Sequence, residues 1–209
     1  ISPISGQKIL PKDTFIPGNI SDEIQLVATP GEYESGSFVI HSLSNITSLK
    51  VEVEDLKGEK GIISSENIDI KLVKCWYQSG TAWSSIIQEK NNRVLVPELL
   101  LNDDNLIKVD YEKGKNYIKI KAEKEEKYID ITPGNDVEEI EKQLPDGYNK
   151  WSGMTLVKDS EKLLPFELKE NENKQVWLTI KIPEDQKAGI YEGNVGIKNK
   201  GKELVNIVM

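Results

Sequence analysis

The sequence of 209 residues is poor in the residues that carry most enzyme chemistry. It has one histidine, His41, one cysteine, Cys75, and one arginine, Arg93. A single histidine excludes most Ser/His/Asp and Cys/His catalytic sets and zinc sites built on several imidazoles. A single arginine leaves almost no bidentate clamp for phosphate or carboxylate. We therefore expect no catalytic residue, no metal ion and no cofactor in this chain, and we interpret Cys75 as a buried, inert thiol.

Long apolar runs and net positive charge are missing too. No stretch approaches the roughly 20 apolar residues that cross a bilayer, so no membrane span is predicted. The formal net charge is −8 and the pI is about 4.9, which opposes binding to nucleic acid, because that affinity comes mainly from cationic side chains. The chain begins at Ile1 without an initiator methionine and ends at Met209 inside an apolar run. We expect it to be a fragment of a larger multidomain protein.

What the sequence does contain is alternation of apolar and polar residues with a period of two, as in residues 49–54 and 176–182. This pattern is typical of half-buried antiparallel strands. The predicted fold class is therefore all-β: an immunoglobulin-like or jelly-roll-type antiparallel β-sandwich. One short helix is predicted at residues 136–143, before a Pro-Asp-Gly turn. We predict a single domain over residues 1–209, with a long excursion from about 112 to 165.

Two segments give more detailed predictions. Between residues 68 and 77 the apolar positions change parity, so a β-bulge or burial of both faces is expected near Leu72. The loop at residues 183–190 leads into Tyr191 and resembles a tyrosine corner, in which the hydroxyl bonds back to the preceding loop. The alternative for Tyr191 is an ordinary buried tyrosine.

Aromatic side chains are the candidates for a ligand site, because sugar rings stack on exposed aromatic faces. Trp83 and Trp151 lie in predicted loops, and Tyr77 and Tyr148 lie close to them in sequence. These four residues form our predicted glycan platform, with polysaccharide as the candidate ligand. The alternative is that the rings cap the ends of the sandwich or pack on a neighbouring domain.

The remaining candidates are two strand tryptophans and two acidic segments. Trp177 has the opposite parity to its apolar neighbours and should face solvent or another domain. For Trp76 the sequence does not decide which face of the strand carries the ring. Glu98 has apolar neighbours and could act as an acid, but a strand-edge carboxylate accepting backbone N–H bonds is the preferred interpretation. Residues 102–105 (NDDN) are oxygen-rich, yet they lack the ligand spacing of a calcium loop, so we interpret them as a turn.

Several stretches resemble the N-terminal β-sandwich of large uncharacterised bacterial proteins related to glycoside hydrolase family 123, in which such a sandwich precedes a (β/α)-barrel. The resemblance spans about residues 28–193. It is carried by residues 30–38 (PGEYESGSF), 73–83 (VKCWYQSGTAW), 96–104 (VPELLLNDD) and 183–193 (PEDQKAGIYEG).

This resemblance implies a non-catalytic accessory domain whose partner is a catalytic domain further along the same chain. The parent protein would be a glycoside hydrolase that is secreted or held at the cell surface, a location inferred by analogy. Two other functions stay open on the sequence. One is a carbohydrate-binding module with its own glycan site, and the other is a small stand-alone polysaccharide lyase or hydrolase.

Overall fold

A computed structural model describes residues 7–16, 20–79, 92–122, 125–132, 137–144 and 154–209 of the chain. In chain order its elements are β1 Tyr33–His41, β2 Ile46–Val53, β3 Leu56–Gly58, β4 Gly61–Ile63, β5 Ile68–Ser79, β6 Arg93–Leu101, β7 Ile107–Asp110, β8 Lys115–Ala122, β9 Glu125–Asp130, α1 Val137–Glu141, β10 Met154–Leu156, β11 Phe166–Leu168, β12 Asn173–Lys181, β13 Asn194–Asn199 and β14 Lys202–Val208. Nine strand pairs within the described residues are antiparallel. The predicted all-β antiparallel class is confirmed.

The chain divides into two compact units. The first contains Ile1–Val73 and Glu161–Met209, and the second contains Lys74–Ser160. The chain therefore leaves the first unit in the middle of β5 and returns to it just before β11. The excursion predicted at about 112–165 overlaps the second unit at residues 112–160.

The first unit is a sandwich of two sheets around one core. In one sheet β12 lies between β1 and the first half of β5, and in the other β2 and β13 lie between β11 and β14. Leu49 of β2 and Val195 of β13 are fully buried, as are Val176 and Leu178 of β12, and all four belong to the same apolar cluster. Burial of alternate residues from both sheets explains the period-two pattern of the sequence.

Strand β5 changes its buried face midway, as the sequence indicated. Leu72, Val73, Lys74 and Cys75 are consecutive and all buried. The prediction of burial on both faces near Leu72 is confirmed, and the thiol of Cys75 is buried as expected. The charge of Lys74 is balanced, since its Nζ lies 3.0 Å from Oδ1 of Asp104 and donates to the carbonyl of the same residue at 2.8 Å.

The loop before β13 is closed by the tyrosine bond that the sequence predicted. The hydroxyl of Tyr191 donates to the carbonyl oxygen of Lys187 at 2.7 Å. The ring also lies against the β3–β4 hairpin, because a Cβ added to Gly58 would come within 2.9 Å of the Tyr191 ring. Tyr191 is therefore a residue of the fold.

The second unit contains a smaller sheet in which β8 is flanked by β7, β9 and β10. Its apolar cluster joins Ile120 and Ile129 to Leu144, just beyond α1. The short helix predicted at 136–143 is present at Val137–Glu141. In the described part of the chain, no helix has both the length and the apolar character needed to cross a membrane.

Candidate functional site

Only one of the four residues of the predicted glycan platform can be placed. Trp83, Tyr148 and Trp151 lie outside the residues that the structure describes. Tyr77 lies near the end of β5, in the second unit.

Tyr77 is held firmly by its neighbours. Its backbone N–H donates to Oδ1 of Asn116 at 2.9 Å, and the Asn116 amide donates back to the Tyr77 carbonyl at 2.7 Å. Its hydroxyl donates to the carbonyl oxygen of Tyr111 at 3.2 Å. These bonds join β5 to β8 and to the turn after β7, so Tyr77 has a structural role in this unit.

The opposite side of the same strand carries a polar cluster that the sequence did not reveal. Because side chains alternate along a strand, Trp76 and Gln78 lie on the face opposite to Tyr77. The indole Nε1 of Trp76 donates to Oε2 of Glu98 at 2.7 Å. The side-chain amide of Gln78 donates to the same oxygen. Strand β6 lies beside β5 and supplies Glu98.

The interpretation of Glu98 needs a correction. We expected a strand-edge carboxylate accepting backbone N–H bonds, but its donors are the side chains of Trp76 and Gln78. Both donors use Oε2, and Oε1 accepts from neither of them. Glu98 is exposed, while Trp76 and Gln78 are half-buried. A carboxylate held in this way is an acceptor fixed in place at the surface.

Apolar residues share the face of β6 that carries Glu98. Val94, Val96 and Leu100 have the same parity as Glu98 along β6, and Val94 and Leu100 are 47% and 41% exposed. We call Trp76, Gln78, Val94, Val96, Glu98 and Leu100 together the ribbon face. It combines an aromatic ring, an oriented carboxylate and an amide, which are the groups that protein sites use to bind sugars.

Sequence reasoning missed the ribbon face because the parity change in β5 left the direction of Trp76 undecided. A signal was nevertheless present, since Trp76 and Gln78 are two residues apart and therefore share a face of the strand. What the sequence could not supply was the partner on β6.

The oxygen-rich segment at residues 102–105 is a turn, as interpreted. The Leu106 N–H donates to the Asp103 carbonyl at 3.0 Å. The carboxylate of Asp159 accepts the backbone N–H groups of Asn102 and Asp103 at 2.9 and 2.8 Å. Asp103 also lies 3.4 Å from Nζ of Lys119. Within the described ranges, no group of three or more His, Cys, Asp or Glu side chains is arranged to hold a metal ion.

Hydrogen bonds lower the pKa of several carboxyl groups. Burial acts to raise the pKa of Asp130, but hydrogen bonds from Lys115 and Thr132 outweigh it and lower that pKa. Hydrogen bonds from Lys198 and Lys50 lower the pKa of Glu52 to about 2. Five described carboxyl groups have a lowered pKa: Glu32, Glu52, Asp55, Asp110 and Asp130.

Comparison with known proteins identifies a family and a similar solved structure. Residues 79–199 match the family described as the glycoside hydrolase 123 N-terminal domain. Among solved structures, the chain is similar to a family 123 glycoside hydrolase from Clostridium perfringens, which was studied for hydrolysis of glycolipid glycans. The two share 16% sequence identity with a TM-score of 0.45, over 87% of this chain and 21% of that chain. No curated protein matches.

Proposed function

Because the chain belongs to the family of glycoside hydrolase 123 N-terminal domains, we propose that it is a non-catalytic accessory domain supporting a catalytic domain that follows it in the same chain. The family match over residues 79–199 is the observation that carries this proposal. Under it, the parent protein is a glycoside hydrolase, and these 209 residues contribute stability and positioning to the enzyme.

The pKa shifts of the carboxyl groups support the proposal of an accessory domain. A glycosidase needs two carboxyl groups on either side of the scissile bond, and the group that acts as acid needs a raised pKa. Glu32, Glu52, Asp55, Asp110 and Asp130 have lowered pKa values, the opposite of what that acid needs. Asp130, with Lys115 at 2.7 Å, is an example of a carboxylate that is kept ionised and serves the fold.

The proposal is tested by removing the domain. A longer chain that includes the catalytic domain is compared with the same chain lacking residues 1–209, and residues 1–209 are assayed alone on a panel of aryl glycosides. We expect no turnover by residues 1–209 alone. We expect the deletion to lower the thermal midpoint of the catalytic domain, because a partner that binds only the folded state stabilises it. Turnover by residues 1–209 alone, or an unchanged midpoint, would overturn the proposal.

By analogy with enzymes that act on extracellular glycans, the same proposal places the parent protein outside the cell, secreted or on the cell surface. Immunodetection in the culture medium, the surface fraction and the cytoplasm tests this location. Detection in the cytoplasm alone would contradict it.

The ribbon face favours a second candidate function, binding of a glycan by this domain. The ring of Trp76 offers a surface for the apolar face of a sugar. Oε1 of Glu98 and the amide of Gln78 offer partners for its hydroxyl groups. The Trp76–Glu98 bond of 2.7 Å fixes ring and carboxylate relative to each other before a ligand arrives, which reduces the entropic cost of binding.

Glycan-array screening of residues 1–209 tests this candidate. Trp76→Ala is compared with Trp177→Ala, a matched control that removes another half-buried strand tryptophan, whose indole donates to Thr179 at 3.2 Å. Trp83→Ala and Trp151→Ala are included for the predicted platform. Binding lost only in Trp76→Ala would assign the site to the ribbon face, and loss only in the loop variants would assign it to the platform. No binding by the parent chain would remove this candidate.

A further inference from the structure

One end of the first unit is built from two segments that are fixed against each other. The β3–β4 hairpin and the loop at residues 183–191 meet there. Lys57 and Glu192 exchange backbone hydrogen bonds of 2.7 and 3.0 Å. Nζ of Lys60 donates to the carbonyl oxygen of Ala188 at 2.9 Å. We call this end, formed by residues 56–63 and 183–193, the exit end.

The backbone of the exit end is tightly packed. A Cβ added to Gly58 would lie 2.4 Å from the carbonyl oxygen of Ile190. Tyr191 closes the loop through its bond to Lys187. Two large apolar side chains are nevertheless left outside, since Ile190 is 81% exposed and Ile62 is 56% exposed.

Charged side chains flank the two exposed isoleucines. Ile62 lies opposite Lys57 in the hairpin, and Lys57 is bridged on its other side to Glu192. Ile190 is two residues before Glu192. Two exposed isoleucines with charged neighbours, held on a fixed backbone, give the mixture of apolar and polar groups that protein interfaces use.

The last residue of the described chain lies at the same end. Met209 and Gly193 exchange backbone hydrogen bonds, both of 2.9 Å. A chain that continues past residue 209 therefore starts beside Glu192. Since an extended residue spans at most about 3.6 Å, a linker of a few residues brings the following domain to Ile190. A short tether also gives that domain a high effective concentration at this surface.

We propose that the catalytic domain following residue 209 docks on Ile190 and Ile62 at the exit end. This inference rests on the proposed function, which supplies the following domain. Lys57 and Glu192 form the charged rim of the contact. The opposite end of the sandwich, where β1 turns into β2 at Leu43, is left free.

The test uses the longer chain and a matched pair of substitutions. Ile190→Asp places a charge in the docking surface. Leu43→Asp is its control, because Leu43 is also 81% exposed but lies at the other end of the first unit. Both substitutions are also made in residues 1–209 alone, where each should leave the thermal midpoint unchanged. In the longer chain we expect Ile190→Asp alone to lower the midpoint, by about 2–4 °C or more.

Hydrogen exchange provides a second readout. We expect amides of residues 58–63 and 186–191 to exchange about tenfold more slowly in the longer chain than in residues 1–209 alone, and Ile190→Asp to abolish that difference. Equal effects of Ile190→Asp and Leu43→Asp in the longer chain, or no added protection at the exit end, would overturn the inference. If deletion of residues 1–209 still destabilises the catalytic domain in that case, the proposed function survives and the docking surface is elsewhere.

Discussion

At the scale of single residues, Gly58 and Asp159 each allow a contact between distant parts of the chain. Gly58 has no side chain, and that absence is what lets the β3–β4 hairpin touch the Ile190 carbonyl and the Tyr191 ring. Asp159 is an acid outside the regular elements, yet its carboxylate accepts N–H bonds from Asn102 and Asp103, more than fifty residues away. Each residue fixes a contact between distant parts of the chain.

Gly58→Ala should destabilise the protein. The new methyl group would lie 2.4 Å from backbone, which cannot move aside as a side chain can. We expect a loss of about 1–3 kcal/mol in the free energy of unfolding, as for overpacking in a core. Urea denaturation measures it. Gly196→Ala is the control, because its nearest neighbour would be the flexible end of Lys198 at 3.7 Å. Equal losses in the two variants would contradict this explanation.

Asp159→Ala should destabilise the second unit. It removes the acceptor of the Asn102, Asp103 and Ser160 backbone N–H groups. Leaving these part-buried donors without partners costs up to about 3 kcal/mol. Chemical denaturation again provides the measurement. Asp185→Ala, at an exposed loop position, serves for comparison and should be close to neutral. A neutral Asp159→Ala would show that water replaces the carboxylate.

At the scale of elements, the outer surface of β2 and β13 is organised by one carboxylate. Glu52 lies 2.8 Å from Nζ of Lys198 and also forms an ion pair with Lys50. These bonds lower the pKa of Glu52 to about 2. Since that pKa is below its value in the unfolded chain, the pair stabilises the fold above about pH 4.5, and the contribution is lost as the pH falls toward 2.

Glu52→Gln should therefore have an effect that depends on pH. We expect the variant to have a lower urea midpoint than the parent at pH 6 and the same midpoint near pH 2, where the parent's Glu52 is also being protonated. The effect at pH 6 will be modest, since the group is solvent-exposed and screened. Glu66→Gln, in the exposed turn before β5, controls for loss of one negative charge. A gap between variant and parent that does not change with pH would contradict the assignment.

Strands and the helix could be predicted where the sequence pattern that indicates them is local. Alternation in residues 176–182 predicted β12, flanking turn residues predicted α1, and the parity change predicted the burial of both faces of β5. The contact between Trp76 and Glu98 was not predictable, because it depends on which strand lies beside β5 and in what register. The local pattern of a strand determines neither its neighbour nor its register.

At the scale of the whole molecule, composition and periodicity predicted the all-β class. The division into two units could not be predicted from local pattern. It depends on the return of the chain to the first unit at Glu161, and such returns are set by long-range packing. The lone histidine and arginine led us to expect no catalytic residue, and the family resemblance implied an accessory domain. Family membership makes that role the proposal to test.

The pairing of β1 with β12 has a consequence for how the chain is made. Strand β12 pairs with β1 over the whole length of both strands, from His41 opposite Asn173 to Tyr33 opposite Lys181. His41 and Asn173 are 132 residues apart in the sequence. At translation rates of about 5–20 residues per second, a nascent β1 waits about 7–26 s for its native neighbour. Before that wait ends, β1, β2 and β5 have been synthesised. Strand β12, which lies between β1 and β5 in the sheet, has not yet been. The growing polypeptide is most exposed to misassembly in this interval, and a chaperone that covers apolar strands would matter most there.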